Sequence, residues 1–108
     1  ERLIMSDIKT DEEMQDIAKE LTTIMIRRGS YNAKTIIDEV NTAIKSIEKV
    51  KSDVAFERYT WEDIRNRSRY NFFVDCIMSM VEHYGHSMND IIIDARKLAE
   101  NVYGKFPK

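Results

Sequence analysis

The segment from residue 70 to residue 84 is apolar on two helical stripes, and this density constrains the fold more than any other feature. One stripe is Phe73, Cys76, Ile77, Met80 and Tyr84, and the other is Tyr70, Val74, Met78 and Val81. A helix that is apolar nearly all round is buried by neighbours on several sides. The sequence therefore predicts either a central helix or a helix whose extra face a partner or second copy covers. The candidate core or oligomer residues are Tyr70, Phe73, Val74, Ile77, Met78 and Val81, and we expect Ile77 and Met80 to be fully buried.

Three further segments show apolar spacings of three and four, and no stretch alternates with period two. The predicted caps are Thr10, with a capping box to Glu13, then Ser30 or Asn32, then Thr60, then Ser87. Each helix has a glycine or a polar break after it. We predict a single-domain, all-α protein, a four-helix antiparallel bundle with helices over about 10–28, 32–52, 60–84 and 87–103 after an N-terminal segment 1–9. The predicted apolar stripes include Ile37 in the second helix and Leu98 and Val102 in the fourth.

Composition excludes several classes of protein. The net charge of −2 argues against nucleic-acid binding by bulk electrostatics. No apolar run approaches the roughly 20 residues that span a bilayer, and no signal peptide is recognisable. One cysteine permits no intramolecular disulfide and favours a reducing compartment. We expect a cytoplasmic protein without a membrane segment.

An arginine-rich turn is the best local candidate for a binding site. Arg65, Arg67 and Arg69 alternate in the first half of the third helix, and Arg58 precedes it. Arg65 and Arg69 lie one helical turn apart, so they can act together on a phosphate or a carboxylate patch. The alternative is a solvated surface on which Glu62 and Asp63 neutralise part of the charge. The sequence therefore favours a protein partner with an acidic or phosphate-bearing surface.

Catalytic and metal-binding residues are sparse. Glu82, His83, His86 and Asp90 lie near the junction of the third and fourth helices, but a metal needs three or four converging ligands. No nucleophile–base pair and no glycine-rich phosphate loop is present. We expect no catalytic residue, no metal site and no cofactor, and hence a protein that is not an enzyme.

The segment from residue 36 to residue 44 resembles the acidic helix of the MazG-like all-α nucleotide pyrophosphohydrolases. In that family, acids on two helices hold Mg²⁺ against a triphosphate. Asp38 and Glu39 match the first acid pair, and Asp75 matches a later aspartate. Thr42 and Phe72 stand where two further acids belong. The resemblance implies a nucleotide- or small-ligand-binding helical protein with a degenerate acidic motif.

A helix-turn-helix DNA binder is the second alternative, since two of the predicted links are short. Asp90 and Asp94 at the start of the fourth helix would repel DNA phosphates, and neither helix pair presents a basic, amide-rich face. The preferred interpretation is a small non-enzymatic interaction or regulatory protein, of adaptor, inhibitor or immunity type, from a bacterium or phage. It would bind a protein partner or itself, and a homo-oligomer is expected.

Overall fold

The computed structural model describes residues 12–29, 32–54, 59–83 and 85–106. Four helices account for most of these residues: α1 (Glu12–Arg28), α2 (Ala33–Lys51), α3 (Trp61–His83) and α4 (Met88–Tyr103). The described ranges contain no strand. The predicted all-α, four-helix bundle is confirmed. No helix in these ranges is long and apolar enough to cross a membrane.

Side chains at three helix starts satisfy free backbone amides, as the sequence predicts. Asn32 accepts a hydrogen bond from the Thr35 amide (2.8 Å), and Ser87 accepts one from the Asp90 amide (3.3 Å). Thr60 and Asp63 form a reciprocal pair, since the Asp63 amide donates to Thr60 Oγ1 and the Thr60 hydroxyl donates to Asp63 Oδ2. The proposed caps Thr10 and Ser30, the end of α3 at Tyr84, and the segment 1–9 lie outside the described residues.

Two glycines end helices by adopting backbone angles that other residues rarely reach. Gly29 follows α1 with φ of 75°, and Gly104 follows α4 with φ of 89°. A left-handed residue after the last turn lets the chain leave the helix axis. The two glycines follow directly on the helix ends predicted at about 28 and 103, and both ends are confirmed.

The bundle consists of two antiparallel hairpins, α1–α2 and α3–α4, packed on each other. Lys51 at the end of α2 pairs with Glu13 at the start of α1 (2.5 Å), which joins the open end of the first hairpin. Between hairpins, the Tyr70 hydroxyl donates to Glu13 Oε2 (2.8 Å), and Arg28 Nη1 donates to the Val81 carbonyl (3.0 Å). These two contacts lie at opposite ends of α1, so α1 and α3 run side by side in the same direction.

Packing of α3 agrees with the central position predicted for it, since α3 contacts α4 most extensively and also contacts α1 and α2. Its completely buried side chains form the middle of the core: Tyr70, Phe73, Ile77 and Val81. Val74 and Met78 are partly buried against the same core. The two apolar stripes are therefore covered largely within one chain.

Met80 is only partly buried, so the expectation of full burial is wrong for this residue. Met80 lies on the side of α3 that flanks α4 rather than facing the core centre. Ile37, Leu98 and Val102 are also exposed, which corrects their assignment to core stripes. Four other residues of the stripe predicted for α4 are buried in the core as expected, namely Met88, Ile91, Ala95 and Ala99. Residues spaced by three and four positions cover a wide arc of the helix surface. A neighbouring helix buries only the middle of that arc, so residues at its edges stay exposed.

Candidate functional site

The start of α3 presents two large aromatic side chains to solvent, one just before the cap residue Thr60 and one just after it. Trp61 is 83% exposed and Tyr59 is 76% exposed, although tryptophan is on average highly buried in folded proteins. The Thr60–Asp63 capping pair fixes this turn, because it anchors the residue between the two aromatic side chains. The aromatic side chains thus project from a well-defined helix start.

Two arginines adjoin these aromatic side chains. Arg65 is exposed and lies one turn after Trp61, so both share one helix face with the partly exposed Ile64. The Arg67 guanidinium carbon lies 5.2 Å from the centre of the Tyr59 ring, a cation–π contact that orients both groups. We call Tyr59, Trp61, Ile64, Arg65 and Arg67 the tryptophan surface.

Arg69 does not belong to this surface, which corrects the predicted pairing of Arg65 and Arg69 on one exposed target. Arg69 is 4% exposed. Its Nη2 donates to the Tyr103 carbonyl (2.8 Å), and its Nη1 donates to Asn66 Oδ1 (2.9 Å). The physical reason is that α3 carries Arg69 to the end of α4, where the last carbonyls lack helical partners and the helix dipole is negative.

The segment after α4 folds over Arg69 and closes this end of the bundle. Phe106 lies between two cations, with the Arg96 carbon 4.5 Å and the Arg69 carbon 5.4 Å from its ring centre. The Phe106 amide donates to Glu100 Oε2 (3.1 Å), and its ring meets Phe73 edge to face. Burial, and then the nearby charge of Arg65, lower the pKa of Arg69 from its ordinary value. Arg69 is thus a structural residue.

Arg58 lies outside the described residues, so the predicted four-arginine site reduces to Arg65 and Arg67. Neither Trp61 nor Tyr59 is among the site residues predicted from the sequence. The sequence carries a signal for Trp61, because this residue falls about 150° from the centre of the α3 core stripe at 100° per residue. A large aromatic residue on the polar side of an amphipathic helix is a candidate for recognition.

A shallow apolar groove lies between α3 and α4. Met80 and Leu98 line two adjoining cavities of about 340 and 290 Å³. Cys76 lies on the wall of the second cavity, and burial, followed by the charge of Asp75, raises the pKa of its thiol. The thiol is therefore the stable form near neutral pH, which does not suit a nucleophile.

The acids and histidines considered as metal ligands are dispersed. No group of three or more His, Cys, Asp or Glu side chains converges on one point within the described ranges. His83 and His86 are exposed at the end of α3 and in the following turn. Asp90 is an exposed first-turn residue of α4, and its amide binds the cap residue Ser87.

The acids that resemble the pyrophosphohydrolase motif have other contacts. Glu39 Oε1 accepts a hydrogen bond from the Met88 amide (2.8 Å) and so caps α4. Asp38 is exposed and pairs with Lys34 (3.4 Å). The Thr42 hydroxyl donates to the Asp38 carbonyl within its own helix. Asp75 lies on α3, which has its smallest contact with α2.

Comparison with known proteins gives no relative. No protein-family model, no curated protein and no solved structure matches the chain.

Proposed function

We propose that the chain is a non-enzymatic protein-binding module, of regulatory, adaptor, inhibitor or immunity type, whose recognition face is the tryptophan surface. One observation carries this proposal, namely the exposure of Trp61 and Tyr59 beside Arg65 and Arg67. Tryptophan, tyrosine and arginine are the residues enriched in binding hot spots. Their concentration in two helical turns supports a protein interface, and the host that fits this interpretation is a bacterium or phage.

The chemistry of the surface favours a partner with an apolar pocket bordered by acidic or phosphate groups. Trp61 and Ile64 supply the apolar contact. Arg65 forms no ion pair with any other residue that the structure describes. A charge at the margin of an interface mainly sets the association rate and the salt dependence. The affinity for such a partner is therefore expected to fall as salt rises.

The experiment uses the immobilised chain to capture a partner from native host extract, followed by titration with the purified partner. Trp61 is the single tryptophan, so its fluorescence reports burial of this surface directly. We expect a blue shift on binding. Trp61→Ala should weaken binding by about 30-fold or more, the size of a hot-spot loss. Arg65→Glu should weaken binding and flatten its salt dependence.

Ile93→Ala is the matched control, because Ile93 is an exposed apolar residue of α4 outside the tryptophan surface. It should leave the affinity within about twofold, as expected for a position outside the interface. A partner that binds Trp61→Ala as tightly as it binds the wild type would exclude the tryptophan surface as the recognition face.

The proposal that the chain is not an enzyme is supported by the contacts of the acids that resemble a catalytic motif. Glu39, a ligand in the resemblance to pyrophosphohydrolases, caps α4, while Thr42 and Phe72 lack carboxylates. Mg²⁺ needs several oxygen ligands. We expect calorimetry to detect no micromolar Mg²⁺ binding, and pyrophosphate release from a nucleoside triphosphate would contradict this. The single cysteine supports a reducing, cytoplasmic location.

DNA reading is the less favoured alternative. The first exposed side chains of α4 include Asp90 and Asp94, which would face phosphates if α4 entered a groove.

Self-association is a second candidate with its own observation, the groove of Met80 and Leu98. Leu98 is exposed on this groove, and Phe72 lines it as well. A second copy that covers this groove would remove apolar surface from water.

A further inference from the structure

A second groove lies between α1 and α3, on the other flank of the central helix from Met80. Its volume is about 630 Å³. Its lining includes four apolar residues, Ile17, Ile24, Val74 and Met78, which we call its floor, and the polar residues Asn71 and Ser79. Ile17 and Ile24 are buried, whereas Val74 and Met78 are only partly covered by the chain itself. The floor therefore retains apolar surface that a bound group can cover.

The borders of this groove are acidic on both sides. Glu13, Asp16 and Glu20 line it from α1, and Asp75 and Glu82 line it from α3. Among the residues that the structure describes, no lysine or arginine lines it. Lys51 pairs with one of these acids, Glu13. Five carboxylates thus surround an apolar floor in a chain whose net charge is only −2.

Most of these carboxylates lack a compensating charge. Asp16, Glu20 and Asp75 take part in no ion pair within the described ranges. Like charges held on two neighbouring helices repel each other, and a cationic partner relieves that repulsion. The charge of the groove therefore selects a basic occupant and disfavours nucleic acid.

The shape of the groove selects a helix. From Glu13 to Ile24 the groove follows α1 for about 16 Å, or three helical turns at 1.5 Å per residue. Two parallel helices with an apolar seam accept the ridge of a third helix. A helix in a groove places apolar anchors on the floor and charged side chains on both borders. Met78 suits such a floor because its thioether side chain adapts to different shapes.

We infer that the α1–α3 groove binds a basic amphipathic helix of a partner protein, with the apolar face on Val74 and Met78 and the cations on the acidic borders. A second copy of this chain does not supply such a helix from α2. The exposed face of α2 mixes Lys34, Lys45 and Lys49 with Asp38 and Glu48. The inference concerns a different surface from the tryptophan surface and is independent of the proposed function.

The test uses three synthetic 14-residue peptides and the full chain. The first peptide is an amphipathic helix with a leucine stripe flanked by lysines. The second replaces those lysines with glutamates, and the third keeps the lysines but replaces the leucines with serines. Binding is measured by calorimetry and by the methyl resonances of the methionines, of which Met78 lies in the groove and Met80 lies on the opposite flank.

We expect the basic amphipathic peptide to bind, to shift the Met78 methyl resonance, and to leave both Met80 and the fluorescence of Trp61 unchanged. The glutamate and serine peptides should bind at least about tenfold more weakly, because each lacks one of the two contacts. Raising salt to about 0.5 M should reduce the affinity of the basic peptide, since exposed charges are then screened.

Reversing the charge of two acids on the border of the groove tests the same contacts from the side of the protein. Asp16→Lys with Glu20→Lys should weaken the basic peptide at least about tenfold and strengthen the glutamate peptide. Glu48→Lys, an exposed acid of α2 outside the groove, should change neither affinity more than about twofold.

Three results would overturn the inference. Equal binding of the serine peptide would show attraction to the net charge alone. Peptide binding that shifts Met80 and spares Met78 would place the site elsewhere. A Met78 resonance that moves with protein concentration in the absence of peptide would make a second copy the occupant.

Discussion

Arg69 is buried although it carries a charge, and its contacts explain why the fold tolerates this. The guanidinium group donates to the Tyr103 carbonyl at the negative end of α4 and to Asn66. The Phe106 ring also packs against it, with its centre 5.4 Å from the guanidinium carbon. A buried charge is stable only when such groups replace its hydration. Removing the charge therefore leaves a helix-end carbonyl without its donor.

Arg69→Met is expected to lower the free energy of unfolding by about 2 kcal/mol, the range for a hydrogen bond to a charged group. Arg65→Met is the matched control, since Arg65 is exposed on the same helix. It should change the free energy of unfolding by less than about 0.5 kcal/mol. Urea denaturation of both variants measures this difference, and equal losses would contradict the structural role of Arg69. By the same reasoning, Arg69→Glu is unsuitable as a probe of partner binding.

Ile77 and Met80 lie three residues apart on α3 but differ in environment, which gives a second comparison at the scale of the residue. Ile77 is completely buried, whereas Met80 borders an open groove. Ile77→Ala should lower the free energy of unfolding by about 2–5 kcal/mol through lost burial and cavity formation. Met80→Ala should cost clearly less, because part of its side chain is already in water. If chemical denaturation shows a larger loss of unfolding free energy for Met80→Ala than for Ile77→Ala, the assignment of Ile77 to the core is wrong.

At the scale of the element, the helices and most of their caps could be predicted from the sequence because they depend on local spacing. Asn32, Thr60 and Ser87 satisfy amides three residues away. The link from Glu39 to the Met88 amide could not be predicted in this way, since the two residues are 49 positions apart. The burial of Arg69 escaped prediction for the same reason, because it depends on where α4 ends.

Glu39→Ala tests the cap that one hairpin supplies to the other. Its carboxylate accepts from the Met88 amide at the positive end of α4, so its loss is expected to destabilise the chain by about 1 kcal/mol. Asp38→Ala is the neighbouring control, since Asp38 forms only an exposed pair with Lys34 and should contribute about 0.3–0.5 kcal/mol. Thermal unfolding distinguishes the two, and indistinguishable variants would show that the cap has no energetic role.

Across the whole molecule, the bundle itself could be predicted but the distribution of its surfaces could not. The two stripes of α3 indicated either a central helix or an oligomer interface, and packing against three neighbours covers most of both stripes. Which apolar residues stay exposed depends on how the neighbouring helices pack, and sequence spacing alone does not give this packing. Leu98 is apolar and in register with its stripe, yet α4 presents it to the groove beside Met80.

Self-association through that groove has its own test by light scattering. We expect a dimer at micromolar chain concentration, because a second copy on the groove removes apolar surface from water. Leu98→Glu should convert it to the 12.7 kDa monomer, because a carboxylate cannot be buried there unpaired. Val102→Glu, also exposed on α4, tests how far the interface extends. If the wild-type chain is a monomer at every concentration tested, it does not self-associate through this groove.

The central claim is that the tryptophan surface recognises a protein, and site-specific photocrosslinking in native host cells tests it most directly. A photoreactive phenylalanine analogue replaces Trp61 in one variant and Ile93 in a matched variant, both at exposed positions. We expect a discrete covalent adduct with one host protein from position 61 and none from position 93. Identical adducts from both positions, or none from position 61 while the chain remains folded, would contradict it.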